Sequence, residues 1–441
     1  MNPLTPGLSK VLLMGCAVTV SCAQKLAEPL DKPSTFSGNI LAASDADMLG
    51  GAYADGVLNK IEGIEDELSF IQVASGSPSV LSSHFVSNSV ISWPSIIAWH
   101  TGRNYAYVAE TRGVYKGTAN KVKNVWKEMP TGNKITVIDY QDPSHPKLVQ
   151  EKIIGENLQG VSINANGSLL VAGSTEKGKE LVLARLEDGK IGEAFYFTND
   201  EIDPKESNNP GIRTIELHPT ENVIAVNLNN VRLIFYEVQD QNGKLDLVQL
   251  GASQKVAKNW SVGNWHPSGD YFILADVAWG KGALGAVFNG KGRLVSVRFD
   301  RTGAHKVVSK IKVGLSPEGF GLSPNGQYAI VANMRRTYMP PKGYWFVSKK
   351  DYSSLTLVRI NPTTGELTRL GNDYGFKGML PEDAIFDAES NSIAVAVFHK
   401  REDLQPKQGW IDFWELEGNT LVKTKHRTYV TRGVHNLLLV D

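Results

Sequence analysis

An apolar strand, a tight turn and a second apolar strand recur six times along this chain, and no other feature limits its fold as much. The turn reads His100-Thr101-Gly102, Asn164-Ala165-Asn166-Gly167, His218-Pro219-Thr220, His266-Pro267-Ser268-Gly269, Ser323-Pro324-Asn325-Gly326 and Asp387-Ala388-Glu389, at intervals of 64, 54, 48, 57 and 64 residues. A strand-like repeat with a period above about 40 residues signals a radial array of small sheets, because each unit can bury its faces only against its neighbours. The 441 residues therefore fit one ring, where length alone suggests two or three ordinary domains.

The stretches after the turns, 105–109, 169–172, 223–226, 271–275, 328–332 and 393–397, are rich in β-branched, aromatic and Ala residues. They read as second strands buried on both faces between neighbouring sheets. Third and fourth strands follow as hairpins over turns such as Asp188-Gly189, Asn242-Gly243, Thr302-Gly303 and Thr364-Gly365. Six units are complete, and the chain ends supply a seventh. Residues 432–440 look like a first strand with nothing after it, 39–43 like a second strand, and 56–61 with 68–73 like a third and fourth. The expected fold is all-β, a seven-bladed β-propeller of four-stranded antiparallel blades. Its C-terminal first strand joins the N-terminal strands of the split blade, which removes open sheet edges. Residues 38–441 form this single domain, behind a flexible segment, 24–37.

Residues 1–23 carry Lys10, an apolar run from Val11 to Val20, and Ser21-Cys22-Ala23 before Gln24. That is the pattern of a secretory signal and is too short to span a membrane. Cys22 after Thr19-Val20-Ser21 also resembles a bacterial lipobox. Release is favoured because Thr19 stands where that pattern has Leu, but a lipid anchor on Cys22 stays open. The product is expected to be exported: periplasmic, extracellular or anchored at the cell envelope. Both cysteines of the chain, Cys16 and Cys22, lie in this segment, so thiol nucleophiles, zinc-cysteine sites and disulfides are excluded from the mature domain.

The segment Ser323-Pro324-Asn325-Gly326-Gln327-Tyr328-Ala329-Ile330-Val331-Ala332-Asn333 is similar to the signature of the YVTN and lactonase-like propeller superfamily. The resemblance extends over the whole mature chain and implies architecture more than activity, since such propellers include both lactone-processing enzymes and binding proteins. Members often carry Pro-Arg-His near the channel mouth. Arg213 matches the Arg, but Thr214 follows where His is expected, and Gly433 follows Arg432. The resemblance therefore implies a lactonase-like hydrolase only if another residue, such as His435, supplies acid-base chemistry.

Aligning the repeats places one residue per blade at the channel mouth, five positions before each turn. That column reads Ser95, Gln159, Arg213, Ser261, Glu318 and Glu382, with Arg432 from the last strand. A polar ring fits a solvated channel wall in which Arg and Glu neutralise each other. It also fits a ligand site where Arg213 and Arg432, with Gln159, hold a carboxylate or phosphate and Glu318 or Glu382 acts as base. The long loops 110–133, 276–293, 333–352 and 398–409, expected on this face, carry sixteen Lys or Arg against six acids in a chain whose formal charge is zero. Arg112, Arg335 and Arg336 are their binding candidates. Interleaved are Tyr115, Trp126, Trp279, Phe288, Tyr338, Tyr344, Trp345, Phe346 and Trp410. The pattern suits capture of an anionic small molecule, glycan or protein segment, or a cap in which the loops cover one another. The alternative is an enzyme acting on a sugar-acid lactone or a related carboxylated substrate.

Gly280-Lys281-Gly282-Ala283-Leu284-Gly285 matches a dinucleotide fingerprint in letters, but Asn289-Gly290-Lys291-Gly292 follows too soon for the helix that would hold a pyrophosphate. Asp45, Asp47 and Asp55 lack calcium-loop spacing, and the nine histidines show no ligand pair, so no metal and no cofactor is expected. His218 and His266 read as structural residues of tight turns. Nucleic acid is not expected as a partner, and a monomer is.

Overall fold

The computed structural model describes residues 26–74, 77–207, 210–281, 285, 287–339 and 351–440. The signal-like segment with Cys16 and Cys22 lies outside them. The split blade, blade 1, contributes β1 (Asn39–Ser44), β2 (Glu67–Ala74) and β3 (Ser77–Phe85). Blade 2 holds β4 (Ile97–His100), β5 (Tyr105–Ala109), β6 (Lys134–Asp139) and β7 (Lys147–Ile153). Blade 3 holds β8 (Gly160–Ile163), β9 (Leu169–Gly173), β10 (Leu181–Glu187) and β11 (Lys190–Phe197). Blade 4 holds β12 (Ile212–Leu217), β13 (Val223–Leu228), β14 (Arg232–Gln241) and β15 (Lys244–Lys255). In blade 5 the strands are β16 (Trp260–Trp265), β17 (Tyr271–Asp276), β18 (Lys291–Arg298) and β19 (Lys306–Leu315). Those of blade 6 are β20 (Pro317–Leu322), β21 (Tyr328–Asn333), β22 (Ser353–Ile360) and β23 (Leu367–Phe376). Blade 7 has β24 (Ala384–Phe386), β25 (Ser392–Val397), β26 (Gln408–Glu417) and β27 (Thr420–Thr431), and β28 (Val434–Val440) returns to blade 1.

Seven four-stranded antiparallel sheets result, and the split one runs β28-β1-β2-β3. Asn39 pairs with Val440, Leu41 with Leu438 and Ala43 with Asn436, so the two chain ends close the ring by ladder hydrogen bonds. Six of the seven second strands begin where their sequence pattern does and β25 begins one residue earlier, at Ser392; β13, β17 and β25 are buried along their whole length. They carry the clusters packed between neighbouring blades; one such cluster joins Leu41, Tyr107, Val108, Leu170 and Val182 across blades 1, 2 and 3.

One strand assignment differs. Residues 56–61 are not a strand but part of a long excursion, 45–66, that holds a short helical turn, α1 (Ala52–Asp55). Gly56 ends that turn at φ 71°, and a Cβ there would lie 2.0 Å from the Val122 carbonyl oxygen. Leu58 N–H donates to the Asn120 carbonyl instead of to a sheet neighbour. The stretch 68–73 is therefore the third strand, inside β2, and the fourth is β3. With the sequence Ser-Pro-Ser-Val-Leu-Ser-Ser-His-Phe, β3 lies on the outer rim, where an exposed strand needs no apolar run.

The segment expected to be flexible, 24–37, is laid across the outside of blades 6 and 7 from Leu26 onward. Ala27 N–H donates to the Gly375 carbonyl and Leu30 N–H to the Lys423 carbonyl. Thr35 N–H donates to Glu415 Oε1 at 2.9 Å. On the face holding the first turns, His218 Nε2 lies 3.0 Å from the Gly269 carbonyl oxygen of the next blade. His266 Nε2 repeats that contact with Gly326 at 2.9 Å. His218 Nδ1 accepts the Thr220 N–H, so Nε2 carries the proton and donates. Each imidazole latches one blade to the next.

Candidate functional site

The seven inner strands all start at one end of the channel, and the loops leaving the second strands emerge at that same end. Three inner strands begin with a β-bulge: the ladder shifts between Ile212 and Ile215, between Trp260 and Gly263, and between Pro317 and Phe320. Arg213, Ser261 and Glu318 sit inside these bulges, which re-aim side chains at a strand end.

Arg213 Nη1 donates to Gln159 Oε1 at 2.5 Å, across blades 4 and 3. Gln159 is buried and its own amide donates to the Asn157 carbonyl. Arg213 Nε is buried and meets no hydrogen-bond acceptor among the described residues, and the same holds for Nε of Arg112. Burial, and then the charge of Arg112, lowers the Arg213 pKa to about 10. Arg112 comes from the loop 110–133 of blade 2, where its Nη2 donates to the Trp126 carbonyl at 2.9 Å. Two guanidiniums thus share a partly desolvated corner with donors in hand.

The acids gather elsewhere on the mouth. Glu318 and Glu382 are 4% and 1% exposed. Among the described residues no hydrogen bond or ion pair reaches either carboxylate, and Glu382 Oε2 is buried without a partner. Burial pushes Glu318 up to about 8. Burial, the charge of Glu318 and that of Asp45 push Glu382 well above the ordinary carboxyl range. The arginines and glutamates of the column therefore do not neutralise each other.

Arg432 does not point to the mouth as a donor. It is fully buried, and its guanidinium faces backbone: Nε and Nη2 donate to the Ala46 carbonyl and Nη1 to that of Asn59, with Pro406 and Leu58 at 3.5 Å. It pins the excursion 45–66, whose buried Asp45, Asp47 and Asp66 lie within its field. His435 is likewise fully buried; its Nε2 lies 2.8 Å from Asn88 Oδ1, and burial pushes it down to about 3. An imidazole so placed stays neutral and out of reach of water. Arg335 stacks on Tyr352, 3.9 Å from the ring centre, and Arg336 donates to the Asn289 carbonyl at 3.0 Å.

The loops do cover one another in part. Met48, Ala52, Val90, Val125, Met129, Met334, Met339, Met379 and Phe398, from blades 1, 2, 6 and 7, form one buried cluster on this face, with Tyr53, Tyr115 and Trp279 against it. Trp126 and Phe288 stay exposed, whereas Trp410 belongs to the core of blade 7. Lys342, Tyr344, Trp345, Phe346, Lys349 and Lys350 lie outside the described residues. The excursion 45–66 adds a fifth long loop with six acids and one lysine, so positive charge is concentrated away from blade 1. Gly280 N–H donates to the Gly285 carbonyl, so the two ends of the fingerprint-like stretch meet; residues 282–284 lie outside the described residues. No cluster of metal-ligating side chains occurs among the described residues.

Three parts of the site escaped the reading of the sequence. Glu216 faces the channel and accepts from Ser95 Oγ at 2.8 Å; burial pushes it up to about 7. Its spacing of three from Arg213 shares a face only because of the bulge. Trp93, in the connection before β4 of blade 2, contacts Asn230 of blade 4 and Trp279 of blade 5 at 3.5 and 6.3 Å, so it crosses the mouth. Tyr53 of α1 donates to the Val90 carbonyl at 2.6 Å and senses the charges of Glu382, Glu318 and Asp45.

A candidate 6-phosphogluconolactonase of Bacteroides uniformis superposes with a TM-score of 0.62 at 13% identity, covering 91% of this chain and 99% of the other. One of Bacteroides fragilis gives 0.61 at 14%, covering 93% and 100%. The periplasmic gluconolactonase of Pseudomonas aeruginosa gives 0.60 at 12%, covering 92% and 99%. The fold is that of the lactonase-like propellers. At such identities this likeness concerns architecture alone. No family model matches the sequence, and no curated protein matches it. The Thr214 hydroxyl donates to the Ser261 carbonyl at 3.0 Å and binds two blades together.

Proposed function

We propose that this chain is an exported binding propeller that captures a small anionic ligand, a carboxylate or phosphate, between Arg112 and Arg213 at the channel mouth. The observation that carries the reading is the pair of buried Nε donors without acceptors among the described residues. A buried unmet donor costs roughly 1–3 kcal/mol, and more on a charged group, which an anion with two oxygens would recover through forked hydrogen bonds. Gln159 holds one guanidinium in place, and the basic loops would steer anions inward. The signal-like N-terminus supports export, as does likeness of fold to a periplasmic enzyme.

The test is a thermal-shift series with phosphate, gluconate, glucuronate and 6-phosphogluconate against neutral sugars. Stabilisation by the anions, lost in both Arg213→Gln and Arg112→Gln, is the expected result. Stabilisation by neutral sugars alone, or an anion response unchanged in both variants, overturns it.

A second reading, lactone hydrolysis, is favoured by the two buried carboxyls and by what the fold neighbours are described as acting on. Glu318, with its pKa at about 8, would be protonated at neutral pH and able to donate to a leaving oxygen. Turnover of glucono-δ-lactone that disappears in Glu318→Gln while binding persists would select this reading over capture.

A further inference from the structure

We propose a second binding site at the opposite end of the disc, a cleft between blades 2 and 3 that holds a neutral saccharide. It is built from turns, shares no residue with the anion corner formed by Arg112 and Arg213, and does not depend on it.

A cavity of about 530 Å³ opens at this seam, lined by His100, Arg103, Gln141, Asn166, Ser168 and Asp188, with Leu186 in its wall. That volume falls within the roughly 300–1,000 Å³ of small-molecule sites. Four turns supply it: the first turn and the β6–β7 connection of blade 2, and the first turn and the β10–β11 hairpin of blade 3. The seam departs from its neighbours. His218 and His266 each bond the glycine carbonyl of the next blade's first turn. His100 stands at the same place in blade 2: a Cβ on Gly167 would lie 2.2 Å from His100 Nε2, as one on Gly269 would lie 2.3 Å from His218 Nε2. Among the described residues, however, the His100 ring makes no hydrogen bond to blade 3, and it borders the cavity instead. The seam between blades 4 and 5 is also bridged by Arg301, which donates to Glu221 and Glu237 at 2.7 and 2.8 Å. Between blades 2 and 3, Arg103 holds only Asp188, at 2.6 Å through Nη2, so its other N–H groups are left for a ligand.

The chemistry of the wall selects the ligand. Arg103 and Asp188 cancel, and burial with the nearby Arg103 charge lowers the His100 pKa, so the imidazole is neutral and the cleft carries no net charge. A free anion or cation would meet both members of the ion pair and gain from only one. Asn166 Oδ1 is taken by the Ser168 hydroxyl at 2.6 Å, which fixes the amide and leaves its Nδ2 donors open. The Gln141 side-chain amide makes no hydrogen bond among the described residues and supplies a donor and an acceptor together. Imidazole, guanidinium and amide donors thus stand beside amide and carboxylate acceptors, a mixture that matches ring hydroxyls, each of which donates and accepts. Leu186 adds an apolar contact for the C–H face of a pyranose. A site that works through hydrogen bonds to hydroxyls discriminates by their pattern, so the cleft should separate sugars of equal size.

The test is saturation-transfer NMR on the whole chain. The probes are methyl α-D-glucopyranoside, methyl β-D-galactopyranoside, maltose and N,N′-diacetylchitobiose, with glycine as a zwitterionic control. At least one of these sugars is expected to give a saturable signal in the millimolar range. Its Kd should rise tenfold or more in the double variant Arg103→Ala, Gln141→Ala and stay unchanged in Arg213→Gln. The double variant removes exposed side chains and one exposed ion pair, a change that costs little stability. If it fails to fold, the two single variants decide in its place, each expected to weaken binding. Absence of a saturable signal from all four sugars, with or without one from glycine, overturns the proposal. So does a sugar signal that the cleft variants leave intact, or one that Arg213→Gln abolishes, which would assign the sugar to the mouth.

Discussion

Arg213 Nη1 donates to Gln159 Oε1 at 2.5 Å, joining the starts of two neighbouring inner strands, while Nε of the same guanidinium meets no acceptor among the described residues. The bond orients a side chain whose burial is otherwise unfavourable. Arg213→Met alone orphans the buried Gln159 oxygen and is expected to destabilise by about 1 kcal/mol. Gln159→Leu combined with Arg213→Met removes both polar groups and should be neutral or stabilising by about 1 kcal/mol. Urea midpoints for the two singles and the double, read as a double-mutant cycle, check this; additive losses would contradict it.

Arg432→Met is expected to destabilise by roughly 3 kcal/mol or more. Its guanidinium holds backbone carbonyls of two loops and offsets three buried aspartates. Arg335→Met, which gives up a stack on Tyr352, should cost less than about 1 kcal/mol. Comparison of the two melting temperatures tests whether Arg432 is structural, and equal losses would count against that assignment.

Stability should rise as pH falls from 8.5 to about 6.5, near the ordinary histidine pKa. Asp45, Asp383 and Glu216 are each pushed by burial up to about 7, and Glu318 to about 8. Over that window the folded chain takes up protons that the unfolded chain, with carboxyls near about 4, does not bind. Folding is thereby favoured on the acid side. Below that pH His399 and His435, pushed down to about 4 and about 3, stay neutral while the unfolded chain protonates its histidines, so the gain flattens. Melting curves at half-unit steps check both limbs, and a melting temperature that falls from pH 8.5 to 6.5 would refute the account.

Gly326→Ala should destabilise by about 1–2 kcal/mol. The residue sits at φ 71°, and an added Cβ would lie 2.6 Å from His266 Nε2. His266→Ala removes the latch to the Gly326 carbonyl and should cost about 1 kcal/mol. Combining them relieves the clash but not the backbone strain, so the double variant should unfold at a lower urea concentration than His266→Ala alone.

Blade number and closure were legible because they follow from short-range pattern. A second strand such as 223–226 must be apolar on both faces wherever it stands between two sheets, and the β28-like end had nowhere to pair except with 39–43. The error at 56–61 has the same origin in reverse: Val57 and Leu58 look like strand residues but pair with 120–122, and Leu58 is buried in the loop cap, a contact no local pattern announces.

The side chains of the mouth are a different matter. Column spacing identified Gln159, Arg213, Glu318 and Glu382 as residues at the inner strand starts, and they are there. Arg432 and His435 share that spacing, but one reaches into backbone carbonyls and the other is sealed against Asn88. Glu216 and Trp93 reach the channel through a bulge and through a crossing connection. Periodicity fixes which way a backbone runs and which face a residue takes, since both are set within a few residues. Whether a charge at that position meets water, a carbonyl or nothing at all depends on loops from other blades, and only the closed ring brings those together.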